Sequence, residues 1–372
     1  MAGSGFGTIF RINTWGESHG EGVGVVIDGC PSGIPLSEAV VQEYLNRRRP
    51  GQTRYSTPRR ENDRVVIQSG VFEGLTTGTP ISMAVYNETQ RSSDYSEIAG
   101  YYRPGHADFT FDAKYGFRDY RGGGRSSGRE TIGRVAAGAV ACALLRELGI
   151  EVFAYTASIG PVISNPASSL RENREKSPLF MLDLDASARA EDYLLETMRQ
   201  QDSAGGIIEC SVTGMPAGIG EPVFDKLDAC LARAVFSVGA VKGFELGSGF
   251  GAASLRGSEN NDCFLGTENG RAVKKTNHAG GILGGISDGS EIFFRAAVKP
   301  TPSIAKAQQT IMRDGSPITV NIRGRHDPVI VPRAVVVIEA MAALTLADAL
   351  LAGMGSRMEN VLNFAKSRAV RD

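Results

Sequence analysis

Six arginines, one of only four histidines and a Gly-Gly-Gly run fall between Arg103 and Arg134, in RPGHADFTFDAKYGFRDYRGGGRSSGRETIGR. Ser127 and Glu130 have the S-x-x-E spacing of a capping box, and the small, apolar run from Ile132 to Leu145 follows at helical period, closed by Gly149. Arginines therefore crowd the start of a helix, where unpaired N–H groups and the helix dipole already favour an anion. Arg121, Arg125, Arg129 and Arg134 make that anion multivalent. Glycines 122–124 allow close backbone approach to a phosphate, and Ser126 and Ser127 offer hydroxyls. The competing reading is a flexible RGG-type loop with solvated arginines, but such segments do not usually run straight into a capped apolar helix.

A second cluster lies upstream. Between Arg47 and Arg64 there are seven arginines (47, 48, 49, 54, 59, 60, 64) against only Glu61 and Asp63. A solvated surface is one account of it. The use of arginine throughout, with no lysine, favours bidentate recognition of phosphate or carboxylate. His19 sits between Gly16 and Gly20 in a turn where its side chain can face a site, and His106 lies inside the first cluster.

The elements that must hold these residues follow from periodicity. Residues 8–28 alternate as strands around the GESHG turn, with Val23–Ile27 as a buried strand. A helix is predicted from Ser37, its N-cap, to about Arg48. Residues 65–88 read as strands about a GLTTGTP turn, and 92–102 as a mobile polar loop. A helix at 131–148, a strand at 151–160, an amphipathic helix at 187–202 and a helix from about Pro222 to Ala234 come next. Arg333–Leu351 is an apolar helix after Pro332, Glu359–Asp372 a peripheral tail, and Trp15 is read as core. GCPSGI begins at Gly29 and GMPAGI at Gly214, 185 positions on. That spacing predicts two related halves, each containing a strand–turn–helix unit, within one pseudo-symmetric domain spanning 1–372.

Composition narrows the class. A chain of 372 residues with 42% hydrophobic and 22% charged residues can bury a large core, as a soluble globular enzyme does. Its net charge of −1 supplies no global field for nucleic acid or anionic membrane. Five cysteines without a C-x-x-C favour neither a zinc site nor a disulfide framework, and fit a reducing cytoplasm. The apolar run near 335–353 is interrupted by Glu339 and Asp348, so no membrane span is expected. Gly247-x-Gly249-x-x-Ala252 superficially matches a dinucleotide fingerprint, but a polar stretch follows where a helix is needed.

Taken in order, GESHG, RRRPGQTR, RPGHAD, RGGGRSSGRET, GAVKGFE, NHAGGILGGIS, KPTPS and GRHDP cover nearly the whole chain and closely resemble the chorismate synthase family. The resemblance implies an α+β fold, a pseudo-symmetric β-α-β sandwich with helices packed between antiparallel sheets, and a homotetramer. It implies a lyase of the shikimate pathway, converting 5-enolpyruvylshikimate 3-phosphate to chorismate and phosphate with reduced FMN and no net redox change. That substrate carries one phosphate and two carboxylates, which agrees with the arginine clusters read independently above.

Carried over by position, the resemblance assigns Arg48, Arg54, Arg103, Arg129 and Arg325 to the substrate, with Arg48 and Arg54 as alternative nucleotide contacts. It assigns FMN to Arg125, Ser126, Ser127, Gly239, Ala240, Gly284, Lys299, Pro300, Thr301, Pro302, Ser303 and Arg325. Gly239 stands where the family pattern often has asparagine, leaving a backbone contact there. In the implied mechanism the flavin lends electron density as the C3 phosphate leaves and recovers it as the C6 hydrogen is lost. His106 assists the departing phosphate, His19 protonates the reduced flavin ring, and Asp327 assists deprotonation at flavin N5. His278 and His326 are read as loop-shaping or flavin neighbours. NADPH and an external flavin reductase are both open as sources of reducing power. Two rival classes are a single-strand nucleic-acid binder stacking bases on Tyr55, Tyr115 and Tyr120, and an ordinary NADPH-linked flavin reductase.

Overall fold

The computed structural model describes residues 3–57, 61–87, 98–121, 123–268, 271–322 and 327–369. Alternation of valine and isoleucine with smaller residues builds a first antiparallel sheet from β1 (Gly5–Phe6), β2 (Arg11–Gly16), β3 (Gly22–Asp28), β4 (Val65–Ile67) and β5 (Ile81–Tyr86), in the order β1-β2-β3-β5-β4. A second antiparallel sheet contains β6 (Glu151–Ile159), β7 (Val162–Ile163), β8 (Gly206–Thr213), β9 (Val241–Leu246) and β10 (Ile292–Val298), ordered β9-β10-β8-β6-β7.

Helices fill the space between the sheets. They are α1 (Glu38–Arg48), α3 (Thr131–Glu147), α5 (Leu227–Phe236) and α6 (Val331–Gly353), while α2 (Asp108–Tyr115), α4 (Leu184–Arg199) and α7 (Met358–Ala369) lie elsewhere in the chain. α3 packs on β2, β3 and β5, α6 packs on β6 and β8, and the two helices pack on each other. Small residues permit this. A Cβ on Gly133 would stand 2.9 Å from the Gly24 carbonyl oxygen, and one on Gly138 would stand 2.3 Å from the Ala340 Cβ. α6 is long and apolar enough to cross a membrane by length and composition, but 78% of its most apolar stretch is buried inside the protein. A helix apolar all round is what a position between a sheet and other helices requires. The α+β sandwich expected of the family is the architecture observed.

Strand order is the same in both halves, with β2-β3-β5-β4 matching β6-β8-β10-β9. The two turns also use the same bonds. The Thr76 hydroxyl donates to the Pro31 carbonyl and accepts from the Ile34 N–H, while the Ser287 hydroxyl donates to the Pro216 carbonyl and accepts from the Ile219 N–H. We propose on this ground that the halves are related within one domain.

Several local expectations shift. The capping box at 127–130 does not form, because a 3-10 turn over Gly128–Glu130 precedes α3. Ser127 Oγ accepts from the Arg129 N–H, and Glu130 turns instead to Thr14 and Arg134. α4 starts at Leu184, since Asp183 caps it by accepting from the N–H groups of Asp185 and Ala186. α5 starts at Leu227, five residues after Pro222. The end of the chain carries helix α7, with Met358, Val361, Leu362 and Phe364 exposed. Trp15 is 39% exposed, its indole lying over Gly24 rather than inside the core.

Candidate active site

Two of the residues assigned to substrate meet at the junction of α1 and α3. Ser37 caps the start of α1, and Val41 and Leu45 anchor its buried face, so its last turn drives Arg48 into the interior with a relative exposure of 2%. There Arg48 Nη2 donates to Asp63 Oδ2 at 2.8 Å, and Nη1 donates to the Gly128 carbonyl at 3.0 Å and to Thr131 Oγ1 at 3.4 Å. Arg129 Nη1 donates to the other oxygen of Asp63 at 2.9 Å and also pairs with Glu61, while its Nε donates to Asn87 Oδ1. Burial pushes the Arg48 guanidinium down to about 10, helped by repulsion from Arg333 and Arg129 and opposed by Asp63. It remains charged at neutral pH.

Asp327 joins this group through Arg333, which donates to Asp327 Oδ2 at 2.5 Å and to the Arg48 carbonyl at 3.1 Å. Asp327 Oδ1 accepts from the Thr57 N–H at 2.8 Å. A cleft of about 330 Å³ opens beside Arg333, lined also by Arg47, Arg49, Tyr55, Ser56 and Glu175. Arg325 and His326 lie outside the described residues, as do Arg59 and Arg60.

A second group forms where residues 98–118 meet 299–313. Tyr102 N–H donates to the Ile311 carbonyl, and Arg118 donates to the carbonyls of Ile98 and Tyr101. His106 is thereby held with Nδ1 2.9 Å from the Pro104 carbonyl and Nε2 2.8 Å from Ser303 Oγ. A carbonyl can only accept, so we assign the proton to Nδ1, and Nε2 accepts from the Ser303 hydroxyl. Lys299 donates from Nζ to the Gly105 carbonyl and from its N–H to the Ala240 carbonyl. Gly105 is needed there, since its φ is +69° and a Cβ would stand 2.7 Å from Pro302. Ala240 also adopts a positive φ, +72°, a conformation costly for a residue with a side chain. His106, Lys299–Ser303 and Gly239–Ala240 are thus one cluster.

Other assigned residues are engaged elsewhere. Arg103 makes a bidentate pair with Asp108, whose carboxyl burial would raise but Arg103 holds below its ordinary range. Arg125 donates to the carbonyls of Gly16 and Thr14 and to Thr14 Oγ1, tying the start of α3 to β2. Arg121 pairs with Asp119, and Arg134 with Glu130 and Ser237. Of the arginines at this helix start, only Arg129 joins the buried pair. Arg54 is exposed, lying over the Tyr55 ring and paired with Glu191. His19 is buried beside Ser18. Glu61, Asp63, Asn87 and Arg333 were missed from sequence. For Glu61 and Asp63 the signal was that two carboxylates interrupt an arginine run; Asn87 and Arg333 carried none.

Gly284 lies in the hairpin of Ile282–Leu283 and Ile286–Ser287. That hairpin is pinned by Lys274, which pairs with Asp262 and Asp288 in a buried cluster. Burial would raise the Asp262 carboxyl, but hydrogen bonds from Thr276 and the N–H groups of Ala279 and His278, with Lys274 nearby, bring it down to about 2. Its folded value lies below the ordinary aspartate value of about 3.9. Its stabilisation is therefore complete above about pH 4 and lost as pH falls through about 2. Asp262→Asn is expected to be less stable than the parent at pH 6, with the gap closing towards pH 2 in thermal denaturation.

Thr301 Oγ1 is buried with no hydrogen-bond partner among the described residues. A Cβ on Gly239 or Gly284 would meet open space. An orphaned hydroxyl, an adjacent lysine and an open backbone at Gly239 fit a phosphate-bearing cofactor next to His106.

Fold and site together define an α+β protein that holds buried arginines on shared carboxylates and a hydrogen-bonded histidine beside a strained loop. A family model described as chorismate synthase matches residues 10–351. A chorismate synthase of Lachnoclostridium phytofermentans is 70% identical over 361 residues, covering 97% of this chain and 98% of that protein. One from Methanosarcina acetivorans is 55% identical over 354 residues, covering 94% and 97%. A crystal structure of chorismate synthase superposes with a TM-score of 0.75 at 31% identity, covering 98% of both chains. The chain belongs to the chorismate synthase family.

Proposed function

We propose that the protein catalyses the 1,4-elimination of phosphate from 5-enolpyruvylshikimate 3-phosphate to give chorismate, with reduced FMN bound and unchanged overall. The observation that carries this reading, beside family membership, is the hydrogen bond from the Ser303 hydroxyl to His106 Nε2 at 2.8 Å. It puts a proton-carrying group against the loop that would hold the cofactor. Arg48 and Arg129 bind and orient the anionic groups of the substrate, and burial keeps water from competing for them. His106 delivers a proton or hydrogen bond to the departing phosphate. Asp327, held by Arg333 and the Thr57 N–H, serves as proton acceptor once the substrate is in place. Lys299, Thr301, Ser303, Ser126 and Ser127 would hold FMN, with Gly239, Ala240 and Gly284 offering backbone. When bound, the reduced flavin supplies transient electron density for the elimination.

The same reading includes a homotetramer in the cytoplasm, with NADPH or a separate flavin reductase as reductant. Exposed apolar side chains such as Phe224, at 90%, and Phe250, at 81%, suit contact with further copies.

The test is anaerobic. Protein, FMN, dithionite and 5-enolpyruvylshikimate 3-phosphate are combined, and chorismate and phosphate are followed together, with oxidised FMN as control. Equal release of both only with reduced flavin supports the reading. No release from folded, FMN-bound protein rejects it, and in a parallel assay with NADPH in place of dithionite, steady NADPH consumption without elimination points to a flavin reductase.

A further inference from the structure

We infer that Asp63 is a positioning residue for the substrate, its buried carboxylate setting the spacing of Arg48 and Arg129. The inference rests on the reading of those two arginines as substrate contacts. Each carboxylate oxygen takes one guanidinium, Oδ2 that of Arg48 at 2.8 Å and Oδ1 that of Arg129 at 2.9 Å, and the Asp63 side chain is 0% exposed. Two like charges in a dry interior repel, so without a shared counter-ion they separate.

The neighbouring bonds complete the alignment. Arg48 is held from its other side by the Gly128 carbonyl and Thr131, and Arg129 by Asn87. Arg48 Nε is buried and has no hydrogen-bond partner among the described residues. Asp63 therefore fixes the orientation of a cation that still has a buried donor to offer. Its backbone lies in the left-handed region, with φ +46°, which aspartate and asparagine tolerate better than other residues with side chains. Chain conformation and chemistry select the same two residue types, and only one of them is charged.

This makes Asp63→Asn an informative change. Asparagine keeps size and backbone preference but offers one acceptor oxygen and one donor NH2 group. Whichever way the amide turns, one arginine faces a donor and the shared bridge is lost. If Asp63 merely neutralised charge, removing it would leave Arg48 without its carboxylate and Arg129 with Glu61 alone, one positive charge in excess, and strengthen anion binding. If it positions them, binding weakens. The sign of the change separates the two roles.

The experiment compares wild type, Asp63→Asn and Asp63→Glu as FMN-bound enzyme. It measures KM and kcat with reduced flavin, substrate Kd by calorimetry, and inorganic phosphate Kd from thermal shifts. For Asp63→Asn the expected result is native circular dichroism with KM and both Kd values raised about ten- to hundredfold, and kcat changed far less. Values within threefold of wild type, or tighter phosphate binding, overturn the inference. Should Asp63→Asn not fold, Asp63→Glu decides. It keeps the charge but its extra methylene displaces the bridge, so an unchanged substrate and phosphate affinity overturns the inference just as well. A wild type that binds phosphate but releases no chorismate rejects the proposed reaction and leaves the phosphate arm to judge Asp63. A wild type that neither turns over nor binds phosphate rejects both.

Discussion

Replacing His106 with alanine is expected to lower turnover by about 10²–10⁴ while leaving substrate binding nearly unchanged, the loss typical of removing a positioned proton donor. The geometry sets the terms. Nδ1 points at the Pro104 carbonyl and Nε2 at Ser303, so the neutral ring meets the site as an acceptor. To donate towards a leaving phosphate it must take up a second proton, after which Nε2–H is the only donor not spent on the backbone. Activity that depends on the protonated ring falls as pH rises, so the alkaline limb of the kcat profile should vanish with the imidazole. Ser303→Ala should cost far less in kcat at saturating FMN, since towards His106 it removes only the partner that Nε2 must release, and its share in holding FMN should show as weaker cofactor binding. A few-fold loss in His106→Ala, with the alkaline limb intact, would reduce His106 to a group that shapes the loop.

How far such roles were legible depended on the range of the interactions behind them. Elements ruled by local periodicity were read closely. The helix of Glu38–Arg48 capped by Ser37, the strand of Glu151–Ile159 and the core helix of Val331–Gly353 each announce themselves within a dozen or so residues. Errors of register came from caps. Asp183 starts one helix early, and a 3-10 turn replaces the capping box at Ser127, because a carboxylate at Glu130 has better partners in Thr14 and Arg134. α2 was missed, lying as it does in a polar stretch read only for its arginines.

The charges were the least legible part. An arginine run shows that anions are wanted but not whether the protein supplies them itself. Arg103 finds Asp108 five residues away, yet Arg129 finds Asp63 at a separation of 66. Glu339 and Asp348 looked like interruptions of an apolar helix. Glu339 in fact receives both terminal nitrogens of Arg47, 292 residues away, and Asp348 receives the N–H groups of Thr8, Ile9 and Phe10. Buried ions are tolerated only when paired and hydrogen-bonded, so each acid inside an apolar run implies a distant cation or backbone donor. Sequence shows that a partner must exist. Only topology says which.

Arg48 is where that rule has its largest expected consequence. Arg48→Ala should weaken binding of the anionic substrate about ten- to hundredfold, the loss of one charged hydrogen bond, and should destabilise the fold by about 3–5 kcal/mol as well. The second effect arises because truncation leaves Asp63 with only Arg129 as counter-charge in a dry site and removes the Arg48 donor from the Gly128 carbonyl and Thr131 hydroxyl, which keep only their bond to each other and to the local backbone. Arg48→Lys separates the two effects. Lysine restores a positive charge near Asp63 and should recover part of the lost stability. A single ammonium cannot hold Asp63 on one side and Gly128 with Thr131 on the other while keeping a donor for ligand, so binding should stay weak. Denaturant unfolding and substrate titration on the same preparations check both statements. Full recovery of affinity by lysine would mean that the site needs only a charge at this position, and that the planar, forked geometry of the guanidinium is not what the substrate reads.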